Sequence, residues 1–135
     1  MKEIITTREE ETLEFAKEYA KKLNKGDVLI LSGEMGAGKT AFTKGLALGL
    51  GITEPVTSPT YAYLNVYGDI LYHYDCYRLS CGEDAEALGL TDYFNSPQTI
   101  CVVEWAENIW DAIPKNYKMV KIEKLDGGKR KITEV

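Results

Sequence analysis

The pattern of apolar and polar positions sorts most of the chain into strands and helices. Residues 28–32 (Val28-Leu29-Ile30-Leu31-Ser32) carry too few polar side chains to have a wet face, which suits a central parallel strand. Residues 99–104 (Thr99-Ile100-Cys101-Val102-Val103-Glu104) repeat that pattern and end in a carboxylate. Residues 61–67 alternate instead, with Tyr61, Tyr63 and Tyr67 on one face and Ala62, Leu64 and Val66 on the other. After the turn signal Gly68-Asp69, residues 70–75 alternate again and put Leu71, His73 and Asp75 on one face, so the two runs predict an antiparallel hairpin. The tyrosine face reads as packing rather than as a base-stacking platform.

Helical periodicity marks residues 7–24. Leu13, Ala16, Ala20 and Leu23 share a face edged by Phe15 and Tyr19, Thr7 and Glu10 form the expected capping box, and Lys25-Gly26 ends the helix. A second helix follows residue 40 and stops near Gly49-Leu50-Gly51. A short strand is expected at 3–6, a short helix at 83–88, a connector at 89–97 and a helical turn at 106–110. A closing hairpin is expected at 117–135, turning at Asp126-Gly127-Gly128. There is no internal repeat, linker or low-complexity tract. The expectation is one α/β domain over 1–135, a mixed sheet with a parallel core and antiparallel hairpins.

Between the first apolar strand and the second helix lies Gly33-Glu34-Met35-Gly36-Ala37-Gly38-Lys39-Thr40, which fits G-x-x-x-x-G-K-[ST] in the strand–loop–helix setting that this phosphate-binding pattern requires. A triphosphate needs dense, pre-aimed donors. Gly33, Gly36 and Gly38 permit backbone angles and close approaches denied to residues with a Cβ. Successive N–H groups, Ala41 included, then face the anion at the positive end of the helix dipole. Lys39 reaches the β- and γ-phosphates as a point charge. The Thr40 hydroxyl is placed to ligate Mg²⁺, which keeps several waters and borrows oxygens from phosphate and protein. The bland alternative is a Gly-rich turn with a surface lysine.

Composition narrows what the loop serves. The chain has 135 residues and a net charge of −5, with no basic face, so contact with nucleic acid is expected to be indirect. No apolar run approaches the length of a membrane span, and the N-terminus shows no signal-peptide core. Cys76, Cys81 and Cys101 are odd in number and lack C-x-x-C spacing, so reduced cytosolic thiols are expected. His73 is the only histidine, which argues against a His-based metal centre.

Hydrolysis needs more than a phosphate loop. The usual supplement is an apolar strand ending in Asp or Glu near Mg²⁺ or the attacking water. Glu104 and Asp75 both end strands, and ligands of open α/β sheets lie at such ends. Which of the two meets the metal is open. Trp105 either stacks near the nucleotide or packs. Thr57-Ser58-Pro59-Thr60-Tyr61 is either a plain loop or a switch, since it stands where proteins with such loops often carry one that senses γ-phosphate through a hydroxyl, and Pro59 biases Ser58 toward an extended conformation.

Several segments occur in one order: the 33–40 loop, Ser58-Pro59-Thr60-Tyr61, His73-Tyr74-Asp75-Cys76-Tyr77-Arg78-Leu79, Leu90-Thr91-Asp92-Tyr93-Phe94 and Val103-Glu104-Trp105. Together they resemble the bacterial TsaE family, from about residue 9 to residue 105 and more weakly to the C-terminus. The loop is shared by many families, whereas H-x-D-x-Y-R-L, V-E-W and S-P-T-Y are specific to this one. The resemblance implies a P-loop NTPase-like three-layer fold and a cytoplasmic ATPase of the system that makes N6-threonylcarbamoyladenosine in tRNA. It implies two partners, TsaB and TsaD, whose complex the ATPase resets between turnovers, with tRNA met only indirectly. By the same resemblance, residues 33–41 with Lys39 and Thr40 hold ATP and Mg²⁺, and Glu104 is a second magnesium contact. Asp75 serves hydrolysis, Thr60 is the switch hydroxyl and Trp105 lies near the nucleotide. The family also places an N-terminal residue, within 7–11 here, and a C-terminal basic residue, Lys129, Arg130 or Lys131 here, around the nucleotide.

The alternative is a small P-loop kinase for a nucleoside or metabolite. A kinase needs an acceptor pocket and usually an Arg-bearing lid. Only Arg8, Arg78 and Arg130 exist, and little chain remains for a lid. A nucleotide switch without hydrolysis of its own differs from the ATPase only in degree.

Overall fold

The computed structural model describes residues 2–34, 36–56 and 63–135. Its elements are β1 (Lys2–Thr6), α1 (Glu9–Tyr19), β2 (Val28–Ser32), α2 (Lys39–Gly49), β3 (Leu64–Tyr67), β4 (Leu71–Asp75), α3 (Gly82–Ala87), β5 (Ile100–Glu104), β6 (Lys118–Lys124) and β7 (Arg130–Glu134). The seven strands form one mixed sheet in the order β1-β7-β6-β2-β5-β4-β3. The residues fall into two compact units that divide β2 between them, one of 2–23, 31–56 and 119–135, the other of 24–30 and 63–118. Among the described residues no helix is long and apolar enough to cross a membrane. All three cysteines are free thiols.

In the first unit, β7 runs antiparallel to both β1 and β6, with Ile132 opposite Ile4 on one side and Ile122 on the other. Helices α1 and α2 pack through small residues. A Cβ added to Gly45 would lie 2.4 Å from Leu13 O and 2.6 Å from Ala16 Cβ. One at Gly49 would lie 2.5 Å from Lys17 O and 2.6 Å from Ala20 Cβ. Ala16, Ala20 and Leu23 are buried on the expected face. Leu13 is only half-buried, because the backbones come too close to leave room for it in the seam. Phe42 fills the end of that seam against Tyr19, ring centroids 5.9 Å apart.

The start of α1 differs from the expected box of Thr7 and Glu10. The N-cap is Arg8, in extended conformation. The residue that reaches back is Glu11, whose carboxylate accepts from Thr7 N at 2.5 Å, Thr7 Oγ1 at 2.8 Å and Arg8 N at 3.2 Å. A buried Thr6–Thr12 hydroxyl contact of 2.9 Å ties the end of β1 to the first turn, and the helix begins one residue later than the pattern places it. The Thr7 backbone hydrogen bond, followed by that of its hydroxyl, holds the Glu11 carboxyl below its usual range. The helix also stops short of Asn24. It tightens into a 3₁₀ turn at Ala20–Lys22, Leu23 is extended, and Gly26 takes φ 101°.

In the second unit, β3 and β4 form the expected hairpin, with Tyr67 opposite Leu71. Gly68 and Asp69 both take left-handed angles (φ 59° and 55°), the signature of a type I′ turn. β4 then runs parallel to β5. Its alternation does not give it a wet face. Leu71 and His73 are buried on one side, and Tyr74 on the other is buried too. The Tyr74 hydroxyl donates to Leu90 O at 2.9 Å and its ring meets Phe94 at 5.1 Å. The acceptor belongs to a 3₁₀ turn, Leu90–Tyr93, inside the stretch that the sequence marks as connector. β5 is buried along its whole length, Glu104 included.

Candidate functional site

The 33–40 loop belongs to the first unit and joins β2 to α2. Four buried apolar residues, Val28 to Leu31, anchor the strand before it. Gly36 and Gly38 sit at φ 78° and 111°, a region that costs any residue with a Cβ. Gly33 needs its missing side chain for another reason: a Cβ there would lie 2.7 Å from Ile122 O. The loop tightens through Ala37 N donating to Glu34 O at 3.1 Å, and α2 opens at Gly38, whose carbonyl accepts from Phe42 N at 3.0 Å. Glycine has no side chain to close that helix. The contrast with α1, whose entry Glu11 closes with its own carboxylate, is direct. A helix that opens on left-handed glycines, with no side-chain cap hydrogen bond at its N-cap, fits a bound phosphate.

Lys39 is 7 % exposed and Ala41 6 %, so Lys39 is not the surface lysine of the bland reading. Thr40, at the next position in the first turn of α2, is half-buried. Thr43 one turn on is satisfied internally, its hydroxyl donating to Lys39 O at 3.0 Å. Glu34 is exposed and enters the loop through its carbonyl. Met35 lies outside the described residues, as does Thr60 with the rest of the 57–61 segment.

Of the three basic residues left open at the C-terminus, Arg130 meets the loop. At the start of β7, its Nε donates to Ala37 O at 2.9 Å and its Nη2 to Gly36 O at 3.2 Å. Its Nη1 donates to the carbonyls of Gly128 and Lys129, each at 3.2 Å. One planar guanidinium therefore takes up the loop's carbonyls from one side. A second cation is close, since a Cβ at Gly36 would lie 3.0 Å from Lys124 Nζ. Two cations beside a glycine loop deepen its preference for an anion. The motif does not reveal Arg130, which lies ninety residues downstream and reaches the loop only through the pairing of β6 with β7.

The carboxylates stand in the second unit at the ends of two paired parallel strands. Asp75 is directly opposite Glu104 in the register. Because the pairing is parallel, His73, Asp75 and Glu104 share one face. His73 Nε2 lies 2.5 Å from Glu104 Oε2. His73 is fully buried and Glu104 is 8 % exposed. Asp75 is half-buried, and its Oδ1 accepts from Tyr77 N at 3.0 Å. The chain after β4 is tied to β5 by Cys76 N donating to Glu104 O at 3.1 Å. Asn108 Nδ2 fixes the same turn by donating to Cys76 O at 3.0 Å and Tyr77 O at 3.1 Å. Burial, then the charges of Asp75, Glu104 and Glu107, push the Cys76 thiol up to about 12.

Trp105 follows Glu104 in a left-handed conformation (φ 59°) that a bulky residue rarely adopts. Its ring meets Tyr77 edge-on at 5.0 Å. The strain sits directly after the strand-end carboxylate, where backbone outliers commonly mark function. Arg78, the one mid-chain arginine, lies over the Tyr63 ring at 4.8 Å. Among the described residues no group of three or more His, Cys, Asp or Glu side chains forms a ready metal cage. A metal here would therefore have to draw ligands from bound phosphate and water, as Mg²⁺ does.

Residues 6–132 match the family model described as threonylcarbamoyl adenosine biosynthesis protein TsaE. Over 131 residues the chain is 44 % identical to the tRNA threonylcarbamoyladenosine biosynthesis protein TsaE of Bacillus subtilis, covering 95 % of this chain and 81 % of that one. It is 42 % identical over 113 residues to the protein of the same name from Treponema pallidum, covering 82 % and 83 %. Among solved structures, the crystal structure of Bacillus subtilis YdiB matches with a TM-score of 0.82 at 40 % identity, over 97 % of this chain and 82 % of that one. Matched along almost its whole length by family model, relatives and fold, the chain belongs to the TsaE family.

Proposed function

We propose that this chain binds ATP in the 33–40 loop and hydrolyses it as a subunit required for N6-threonylcarbamoyladenosine modification of tRNA. The partners are the TsaB–TsaD pair, which the chain resets between turnovers without handling the transferred group. The observation that carries the nucleotide reading is the glycine loop itself: Gly36 and Gly38 at left-handed angles, Gly33 against the Ile122 carbonyl, Arg130 on the carbonyls of Gly36 and Ala37, and α2 opening unclosed behind it. The pathway reading rests on family membership and on the names of the relatives. TsaB and TsaD enter through the family resemblance.

In this reading each residue has a physical task. The loop N–H groups and the buried Lys39 neutralise phosphate charge that would otherwise repel itself. The Thr40 hydroxyl and Glu104 would hold Mg²⁺, which would supply positive charge to the phosphates. Asp75, half-exposed at the end of β4, orients the attacking water and accepts its proton. Trp105 packs near the nucleotide, and Thr60 senses the γ-phosphate.

The test is phosphate release from ATP with and without the TsaB–TsaD pair. Slow turnover by the chain alone, rising when the pair is added, is expected, because among the described residues no arginine finger or positioned glutamine accompanies the two carboxylates. Equal rates would count against a site completed by the partner. Reconstituted tRNA modification that proceeds equally well without this chain would overturn the pathway assignment.

A further inference from the structure

Glu104 ends a fully buried strand, and one of its carboxylate oxygens lies 2.5 Å from the ring of the chain's only histidine. His73 is itself completely buried. Its other ring nitrogen, Nδ1, has no hydrogen-bond partner among the described residues. For a neutral imidazole these facts point to one tautomer. A proton on Nε2 is donated to Glu104 and leaves Nδ1 as a bare lone pair, the less costly group to leave unsatisfied. A proton on Nδ1 would strand a buried N–H donor and set the Nε2 lone pair against a carboxylate. The β4–β5 register produces this contact rather than chance packing. Asp75 faces Glu104 directly, so His73, two residues earlier on the same face, lies behind Glu104 while Asp75 lies beside it.

We infer that His73 is a positioning residue that holds the Glu104 carboxylate in one rotamer through an Nε2–H donor, so that Glu104 meets its metal ion pre-oriented. This rests on the reading of Glu104 as a magnesium-serving carboxylate. A long carboxylate side chain at a strand end has several rotamers, and freezing one has an entropic cost. A rigid donor behind Oε2 settles that cost during folding. Hydrogen-bond partners behind a metal-serving side chain typically contribute about 10- to 100-fold in metal affinity. The H-x-D segment is then two devices in three residues, with His73 orienting one strand-end carboxylate and Asp75 supplying the other.

Two measurements test this. In the unsubstituted protein, nitrogen NMR of the single imidazole should show the proton on Nε2, and Glu104→Gln should shift that N–H signal; a proton on Nδ1 overturns the inference. In variants, binding of a fluorescent N-methylanthraniloyl-ADP is followed as Mg²⁺ is varied. His73→Leu, which keeps the apolar packing and removes the donor, should raise the Mg²⁺ needed for half-maximal binding about tenfold and leave metal-free binding unchanged. His73→Gln, which restores an N–H donor at similar reach, should stay within about twofold of the parent. His73→Leu added to Glu104→Gln should do no more than Glu104→Gln alone. If Glu104→Gln raises the Mg²⁺ requirement and His73→Leu does not, the positioning role is wrong and the reading of Glu104 stands. If Glu104→Gln changes nothing, that reading fails and the inference falls with it. Should His73→Leu not fold, the tautomer measurement decides alone.

Discussion

The loop at residues 33–40 and the strand ends at Asp75 and Glu104 are built on opposite principles. The loop is made of backbone. Its glycines, two of them at left-handed angles, sit on eight consecutive residues, and Arg130 grips the carbonyls of Gly36 and Ala37. The strand ends are made of side chains about thirty residues apart, brought together by parallel pairing and locked by His73 on Glu104 and Tyr77 N on Asp75. Backbone N–H groups cannot change charge and suit permanent anion binding. Side-chain carboxylates bind metal and accept protons. Building one from backbone and the other from side chains leaves binding and chemistry open to separate disruption.

The largest expected effect removes binding altogether. Lys39→Ala takes the buried cation out of the loop and should weaken MgATP binding by at least about 100-fold, with hydrolysis lost alongside. Calorimetric titration reads this directly, and unchanged affinity would sink the claim that the loop is the nucleotide site. Next in size is Asp75→Ala, which tests whether the strand ends do chemistry rather than binding. Turnover should fall by about 10²- to 10⁴-fold while nucleotide affinity stays near the parent value. Lost affinity would instead move Asp75 into the metal's ligand set.

Arg130→Ala probes how far the loop depends on a distant strand. The carbonyls of Gly36 and Ala37 lose their donors, and nucleotide affinity should drop about tenfold. Arg130→Lys should not restore it, because an ammonium lacks the fork that spans two carbonyls. Equal affinity in all three proteins, measured by the same titration, would show that the loop holds its shape unaided.

The same contrast explains what the sequence discloses. The loop is contiguous and its glycines have only a few physical uses, so those glycines and the helix after them are legible. The nearly all-apolar runs at 28–32 and 99–104 are legible for the same reason, since strands buried on both faces leave little polar signal to misread. Tyr74 is harder. Its hydroxyl looks like a wet-face group but is satisfied inside by Leu90 O, and no local pattern discloses that partner. Long-range pairing hides most. Arg130 reaches the loop through β7, and His73 reaches Glu104 only once β4 and β5 are known to run parallel. The H-x-D spacing two residues short of a strand end carries that signal, though it becomes a contact only with the register. The one-residue shift from Glu10 to Glu11 at the start of α1 depends on the Thr6–Thr12 contact, which is tertiary as well.

The smallest expected effect reads the charge of the strand ends through a thiol that takes no part in the chemistry. Cys76 is fully buried after β4, and burial first, then Asp75, Glu104 and Glu107, push it up to about 12 from 9.0. The sign follows from linkage. The folded state prefers the protonated thiol, so this contribution is complete below pH 9.0 and is lost as pH rises toward about 12, while the unfolded chain ionises and the folded one does not. Urea unfolding at a series of pH values across that window, for the parent and for Cys76→Ala, reads the group by difference. The parent should lose stability faster by up to about 1.4 kcal/mol per pH unit. Asp75→Asn in the parent should shrink that difference slightly, since it removes a secondary cause and leaves burial in place. A large drop on Asp75→Asn would mean that charge rather than burial governs the thiol. The strand ends would then form a more strongly negative site than their geometry implies, with a correspondingly greater demand for a cation.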